Sequence, residues 1–334
     1  MMQVSVINQT ERRGRRSLHI LFLEKYMQLR RKITDFIAAN AMLLATIFSG
    51  LLVVSIGGAL LFRAWPLLAT NGIFNVIFGA QWSPSNGLFG LKPFIIGTLW
   101  VTGLAIILAV PACVLAAIFL AEYAGPKTRG IIKPLIDLLS GIPSVVYGVW
   151  GVLVVVPFIA DILGPYAAKH WHNIPIISTD YTTGFSILAG AVVLAIMIAP
   201  VIITVADEVL RAVPREVREV SFALGATHFE TITRVVIRKA LPGLIAAVVM
   251  GVSRALGETM AVLMVVGNVP FTPKSIFDPA YPLPALIANN YGEMMSIPLY
   301  DSALLAAALF LLLIVLVFNL LARAALNHAI KRAA

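Results

Sequence analysis

The chain has 334 residues, of which 60% are hydrophobic and 12% charged, against roughly 45–50% and about 25% in an ordinary soluble domain. A mean hydropathy of +0.93 leaves too little polar surface to cover a water-soluble fold, so most of the chain must face lipid or other helices within lipid. The formal charge of +9 would suit a nucleic-acid partner in a soluble protein, but the positions of the charges account for it with no nucleic acid involved.

In chain order, residues 1–35 form a basic arm carrying Arg12, Arg13, Arg15, Arg16, Lys25, Arg30, Arg31 and Lys32. The apolar run behind it is too long for the core of a cleavable signal and is expected to remain as an anchor. Six segments reach the length of about 20 apolar residues that a bilayer requires: 36–62, 94–121, 135–160, 185–206, 242–267 and 302–322. They predict an all-α integral membrane protein with six transmembrane helices, followed by a short tail over 323–334. Cys113, the sole cysteine, lies in an apolar run and is assigned to packing; no metal or redox site is expected.

Retained loops are richer in Lys and Arg than exported ones. With the N-terminus inside, twenty of the 25 basic residues fall on that side, four (Arg63, Lys92, Lys169 and Lys274) fall outside, and Arg254 is left within a span. Both termini are therefore expected to be cytoplasmic, with anionic membrane lipid a secondary partner of the basic arm. The outside segments 63–93, 161–184 and 268–301 hold many Pro, Gly, Asn and aromatic residues and read as ordered turns or short surface helices, suited to receiving a soluble partner or to capping the bundle.

Three charged residues lie inside the spans: Asp137, Arg254 and Glu258. Asp137 is near a helix end, within reach of the interface. Arg254 stands twelve residues beyond Pro242, roughly 18 Å up a continuous helix and so near mid-membrane. An arginine there costs on the order of 2.5–3.5 kcal/mol and is expected to face the bundle interior or a water-filled path. Glu258, one helical turn further, is expected on the same face as its partner. The pair either fixes helix register or marks an anion path, and the planar guanidinium, suited to phosphate or carboxylate oxygens, favours the path. Ala247, Gly251 and Ala261 on that face would let neighbouring helices approach closely. Ser140-Gly141-Ile142-Pro143-Ser144 interrupts the third span; it is either a proline kink eased by serine hydroxyls or a broken helix lining a cavity.

Residues 207–241 carry eleven charged residues yet keep an apolar periodicity. Two short amphipathic helices broken at Gly225 are predicted, with Pro214 in the first turn of the first, fit either for lipid or for a soluble protein. Glu219-Val220-Ser221, three residues, then Gly225-Ala226 resembles the EAA loop of ABC importer permeases, which inserts into the ATP-binding subunit. The family's later Ile-x-Leu-Pro is met only by Val235, Ile237 and Arg238, with Leu241-Pro242 following. Ser253-Arg254-Ala255-Leu256-Gly257-Glu258-Thr259-Met260-Ala261-Val262, Ser140 through Gly148, and Ser275-Ile276-Phe277-Asp278-Pro279 are similar to the PstC-type membrane subunits of phosphate ABC importers.

That resemblance implies a type I importer permease domain over 36–322 and several partners: a PstA-type second permease, two PstB-type ATP-binding subunits and a PstS-type phosphate-binding protein. It implies Arg254 and Glu258, with Ser140 and Ser144, on the phosphate pathway, and Glu219, Ser221, Gly225 and Ala226 at the ATPase. No Gly-Lys dipeptide occurs, so there is no phosphate loop of the Gly-x-x-x-x-Gly-Lys-Ser/Thr kind and ATP is expected to be used by a partner chain. The expectation is a transporter subunit with no catalytic residue. Its rivals are a permease of the same architecture for phosphonate, sulfate or molybdate and, more remotely, an ATP-independent transporter or channel.

Overall fold

The computed structural model describes residues 2–171, 174, 176–177, 183–293 and 297–333, with side chains between Thr34 and Lys331. The arm's basic side chains, Arg12 to Lys32, lie outside the described ones, as does part of the expected 161–184 loop. Helices and connections follow in the order α1 (Met2–Asn71), α2 (Ile73–Phe78), a hairpin of β1 (Trp82–Ser83) and β2 (Leu88–Phe89), α3 (Lys92–Tyr123), α4 (Pro126–Ser140), α5 (Ser144–His170) and α6 (Ile187–Ala212). Then come α7 (Arg215–Ala223), α8 (His228–Leu256), α9 (Met260–Val265), α10 (Leu283–Asn290) and α11 (Tyr300–Ala333). Among the described residues, six helices are long and apolar enough to cross a membrane: Thr34–Asn71 of α1, then α3, α5, α6, α8 and most of α11.

Two compact units divide the chain, Met1–Ala59 and Leu60–Ala334. The first is helix alone, and its side chains over 34–56 are exposed, an apolar surface with no core of its own. The second is organised around α6, whose span is 61% buried, against 22–33% for α3, α5, α8 and α11. A helix apolar on all sides belongs at the centre of a bundle: Ala189, Ala191, Val193, Leu194, Ile198 and Ile202 all pack inward. Small residues set the spacing, since a Cβ on Gly151 of α5 would meet Val193 at 2.6 Å and one on Gly251 of α8 would meet Ile202 at 2.5 Å.

Three expectations change. The segment 135–160 divides, α4 ending at Ser140 and α5 beginning at Ser144, because Pro143 takes an extended conformation as the N-cap of α5. The segment 242–267 shifts: α8 runs back through Pro242 to His228, and stops at Leu256, short of 267. Arg238, unlike a proline, keeps its backbone donor, and nothing at that point ends the helix.

The third change concerns segment 275–286, expected at the surface but buried almost throughout. Its carbonyls at Asp278 and Ile276 accept from the Ile187 and Leu188 amides at 2.9 and 2.8 Å, satisfying orphan donors at the start of α6. Thr98 of α3 accepts from the Leu283 amide at 2.9 Å. The segment is therefore a buried seal that closes over the start of α6 and leads into α10.

Candidate functional site

Arg254 lies in the last turn of α8, and its side chain is exposed. Gly257 caps that helix, and the amide of Glu258 closes back onto the Ala255 carbonyl at 3.3 Å. The helix then restarts as α9, where the Glu258 carboxylate accepts from the Ala261 amide at 3.1 Å. The expected Arg254–Glu258 ion pair is thus absent. Among the described residues the ion pairs are Arg129–Asp207, Lys133–Glu208, Arg218–Glu122 and Arg234–Glu230. The pairing expectation assumed an unbroken helix; the break at Gly257 takes Glu258 off Arg254's face and commits its carboxylate to capping α9.

The expected small-residue face divides as well. Ala247, Gly251 and Ala261 are buried in helix packing, while Arg254 projects away from them. Glu258 instead borders a narrow cleft with Thr98, Thr102, Pro282 and Pro284, directly beneath the buried seal.

The second interruption stands beside the first. Tyr147 lies within the electrostatic reach of Arg254, and its hydroxyl donates to the Leu139 carbonyl at 2.7 Å, spanning the break between α4 and α5. Gly148 permits this approach, because a Cβ there would meet Met264 Sδ at 2.6 Å and the Ala261 backbone at 3.2 Å. Ser140 is exposed and spends its hydrogen on the Asp137 carbonyl at 2.7 Å, leaving its lone pairs rather than its proton free. Ser144 is half-buried in the first turn of α5. Asp137 is exposed on α4. Two interrupted helices therefore lie beside an exposed arginine with no ion-pair or hydrogen-bond partner among the described residues, whose guanidinium is suited to an oxyanion.

At the shoulder of the bundle, α7 begins after Pro214 and ends in a turn where Gly225 takes φ +85°. Gly225 and Ala226 donate to the Phe222 and Ser221 carbonyls at 2.9 and 3.2 Å, a left-handed turn that favours glycine. Thr227 and Glu230 then form a capping box at the start of α8. Glu219, Val220, Phe222 and Leu224 are exposed, Leu224 at 83%. Ser221, expected on the docking face, points inward instead: its hydroxyl lies 2.9 Å from that of Thr231 and ties α7 to α8.

Pairs that periodicity could not reveal hold this shoulder together. Arg129 of α4 pairs with buried Asp207 of α6 and donates to the Leu120 carbonyl at 3.3 Å. Arg218 of α7 pairs with Glu122 of α3 at 2.6 Å.

Six membrane-length helices among the described residues, two interruptions beside an exposed arginine and an exposed apolar shoulder at one end suit a multi-pass transport permease. The chain belongs to the family described as binding-protein-dependent transport system inner membrane component, whose model matches residues 113–332. It is 36% identical to the phosphate transport system permease protein PstC of Mesorhizobium japonicum, over 82% of this chain and 85% of that one. It is 38% identical to the probable ABC transporter permease protein YqgH of Bacillus subtilis, over 76% and 78%. The fold is similar to that in the crystal structure of a bacterial alginate ABC transporter bound to its periplasmic protein, at TM-score 0.55 and 17% identity, over 87% of this chain and 94% of that one. The protein is thus an ABC importer permease, a transport component rather than an enzyme.

Proposed function

We propose that this chain is the PstC-type subunit of an ATP-driven importer of inorganic phosphate. The carrying observation is Arg254, an unpaired guanidinium at a double helix break in a chain whose relatives include named phosphate permeases. Arg254 attracts phosphate to the pathway, and the hydroxyls of Ser140 and Ser144 line its approach. Glu258 shapes the break by capping α9 and places a negative charge beside the path, which opposes overly tight retention of the anion.

The permease domain covers 36–322, with both termini in the cytoplasm and the basic arm against anionic lipid. A PstA-type permease supplies the other half of the pathway, a PstS-type protein delivers phosphate, and two PstB-type subunits hydrolyse ATP. The exposed apolar residues Val220, Phe222 and Leu224, with Glu219 and the Gly225-Ala226 turn, form the face that docks on the ATPase.

The test is uptake by the complete complex in proteoliposomes, with competing anions. Labelled phosphate should enter only with ATP, and excess sulfate, molybdate or phosphonate should leave its rate unchanged. Uptake without the ATPase subunits, or preferential uptake of another oxyanion, would overturn this reading.

A further inference from the structure

Helix α7 joins α6 through Val213 and Pro214, both extended, at φ −63°, ψ 125° and φ −56°, ψ 143°. Such a joint, whose one backbone bond back to α6 is the long 3.4 Å contact from the Val213 amide to the Leu210 carbonyl, is where a small helix would swing if pushed. One side chain spans it. Arg218, in the middle of α7, donates from Nη2 to Glu122 Oε1 at 2.6 Å and from Nε to Oε2 at 3.3 Å. The same guanidinium donates to the Leu210 carbonyl at 2.9 Å and to the Val213 carbonyl. These carbonyls belong to the last turn and the cap of α6, where helical donors run out, the long bond from the Val213 amide to Leu210 aside. The pair is largely withdrawn from solvent, Arg218 at 17% and Glu122 at 6% exposure.

One planar group thus binds three helices: its own α7, the end of α6, and the end of α3. The residue beside it, Glu219, faces outward with the exposed apolar side chains. α7 therefore presents one side to a partner and is anchored into the membrane domain by the other. A lysine could not reproduce the anchor, since a point charge lacks the fork that meets a carboxylate and two carbonyls in one plane.

We infer that Arg218, with Glu122, is a positioning clamp that makes the docking helix move as one body with the second and fourth spans, so that ATPase motion drives the spans instead of being absorbed at Val213–Pro214. The inference rests on the reading of α7 as the docking helix. Without the clamp, ATP is still hydrolysed but its work is lost at the joint.

The experiment compares the complete importer containing the wild-type chain, Arg218→Gln, Arg218→Lys or Glu122→Gln. It reads retention of the ATPase subunits, phosphate uptake per ATP hydrolysed, and the distance between spin labels at exposed Leu115 of α3 and exposed Glu216 of α7, with and without ATP. The clamp predicts retained ATPase, uptake per ATP lowered about tenfold in both Gln variants and less in Arg218→Lys, and a label distance that ATP changes only in the variants. Unchanged uptake per ATP, or a label distance that ATP changes equally in the wild type, would overturn it. Loss of the ATPase from both Arg218→Lys and Glu122→Gln would also overturn it, making the pair a requirement for docking rather than for transmission. The label distance is independent of the cargo: if the wild type moves another anion, the phosphate reading falls while the clamp is still judged. If the wild type binds no ATPase, both fall.

Discussion

The shoulder and the break between α8 and α9 hold arginine in opposite ways. At the shoulder, Arg129 and Arg218 are buried against Asp207 and Glu122 and also donate to backbone carbonyls. At the break, Arg254 is exposed with no hydrogen-bond or ion-pair partner among the described residues, and the nearby carboxylate of Glu258 is engaged with the Ala261 amide. On the function proposed above, the partnered arginines scaffold the shoulder, and Arg254 is left free to meet an incoming ion. The contrast separates two roles that composition alone runs together.

Stability measurements can break that contrast. Asp207→Ala leaves Arg129 without its partner in a mostly buried site, and unfolding in detergent should show a loss of about 3–5 kcal/mol; a change no larger than that of Arg254→Gln would collapse the distinction. Arg254→Gln itself should move the same transition by no more than about 0.5 kcal/mol, as for a residue without local partners.

Next in size is packing at the break. Gly148→Ala puts a methyl against Met264 and the Ala261 backbone, and should cost about 1–3 kcal/mol, read from the same unfolding curves. Glu258→Ala removes the α9 cap and should cost about 1 kcal/mol, whereas Glu258→Gln keeps an acceptor and should cost less. Equal uptake defects in the two Glu258 variants would assign the residue's role to its charge rather than its cap.

A substitution of comparable size sharpens the docking side. A Cβ on Gly225 meets no atom within 4 Å, so Gly225→Ala is penalised only through its left-handed backbone, by about 1–2 kcal/mol. Co-purification of the ATPase subunits should weaken accordingly; undiminished association would remove Gly225 from the docking turn.

Much of this was legible in the residues. Six apolar runs announce six membrane helices, and Pro143 announces the first break by removing a donor. The break at Gly257 was hidden, because one glycine inside a helical pattern costs only about 1 kcal/mol relative to alanine and the pattern resumes at Met260. The structure marks it by the local Glu258 cap on the Ala261 amide and by the packing of Pro282 and Pro284 beside it. The buried state of 275–286 escaped because its Pro content describes turns but not the orphan amides of α6 that those turns satisfy. Glu122 and Arg218 lie 96 residues apart, beyond any local pattern.

The most direct test of the account is phosphate uptake by the complete reconstituted complex carrying Arg254→Gln. The account predicts an assembled complex with ATPase retained and phosphate uptake abolished. Normal uptake by that assembled complex would contradict it.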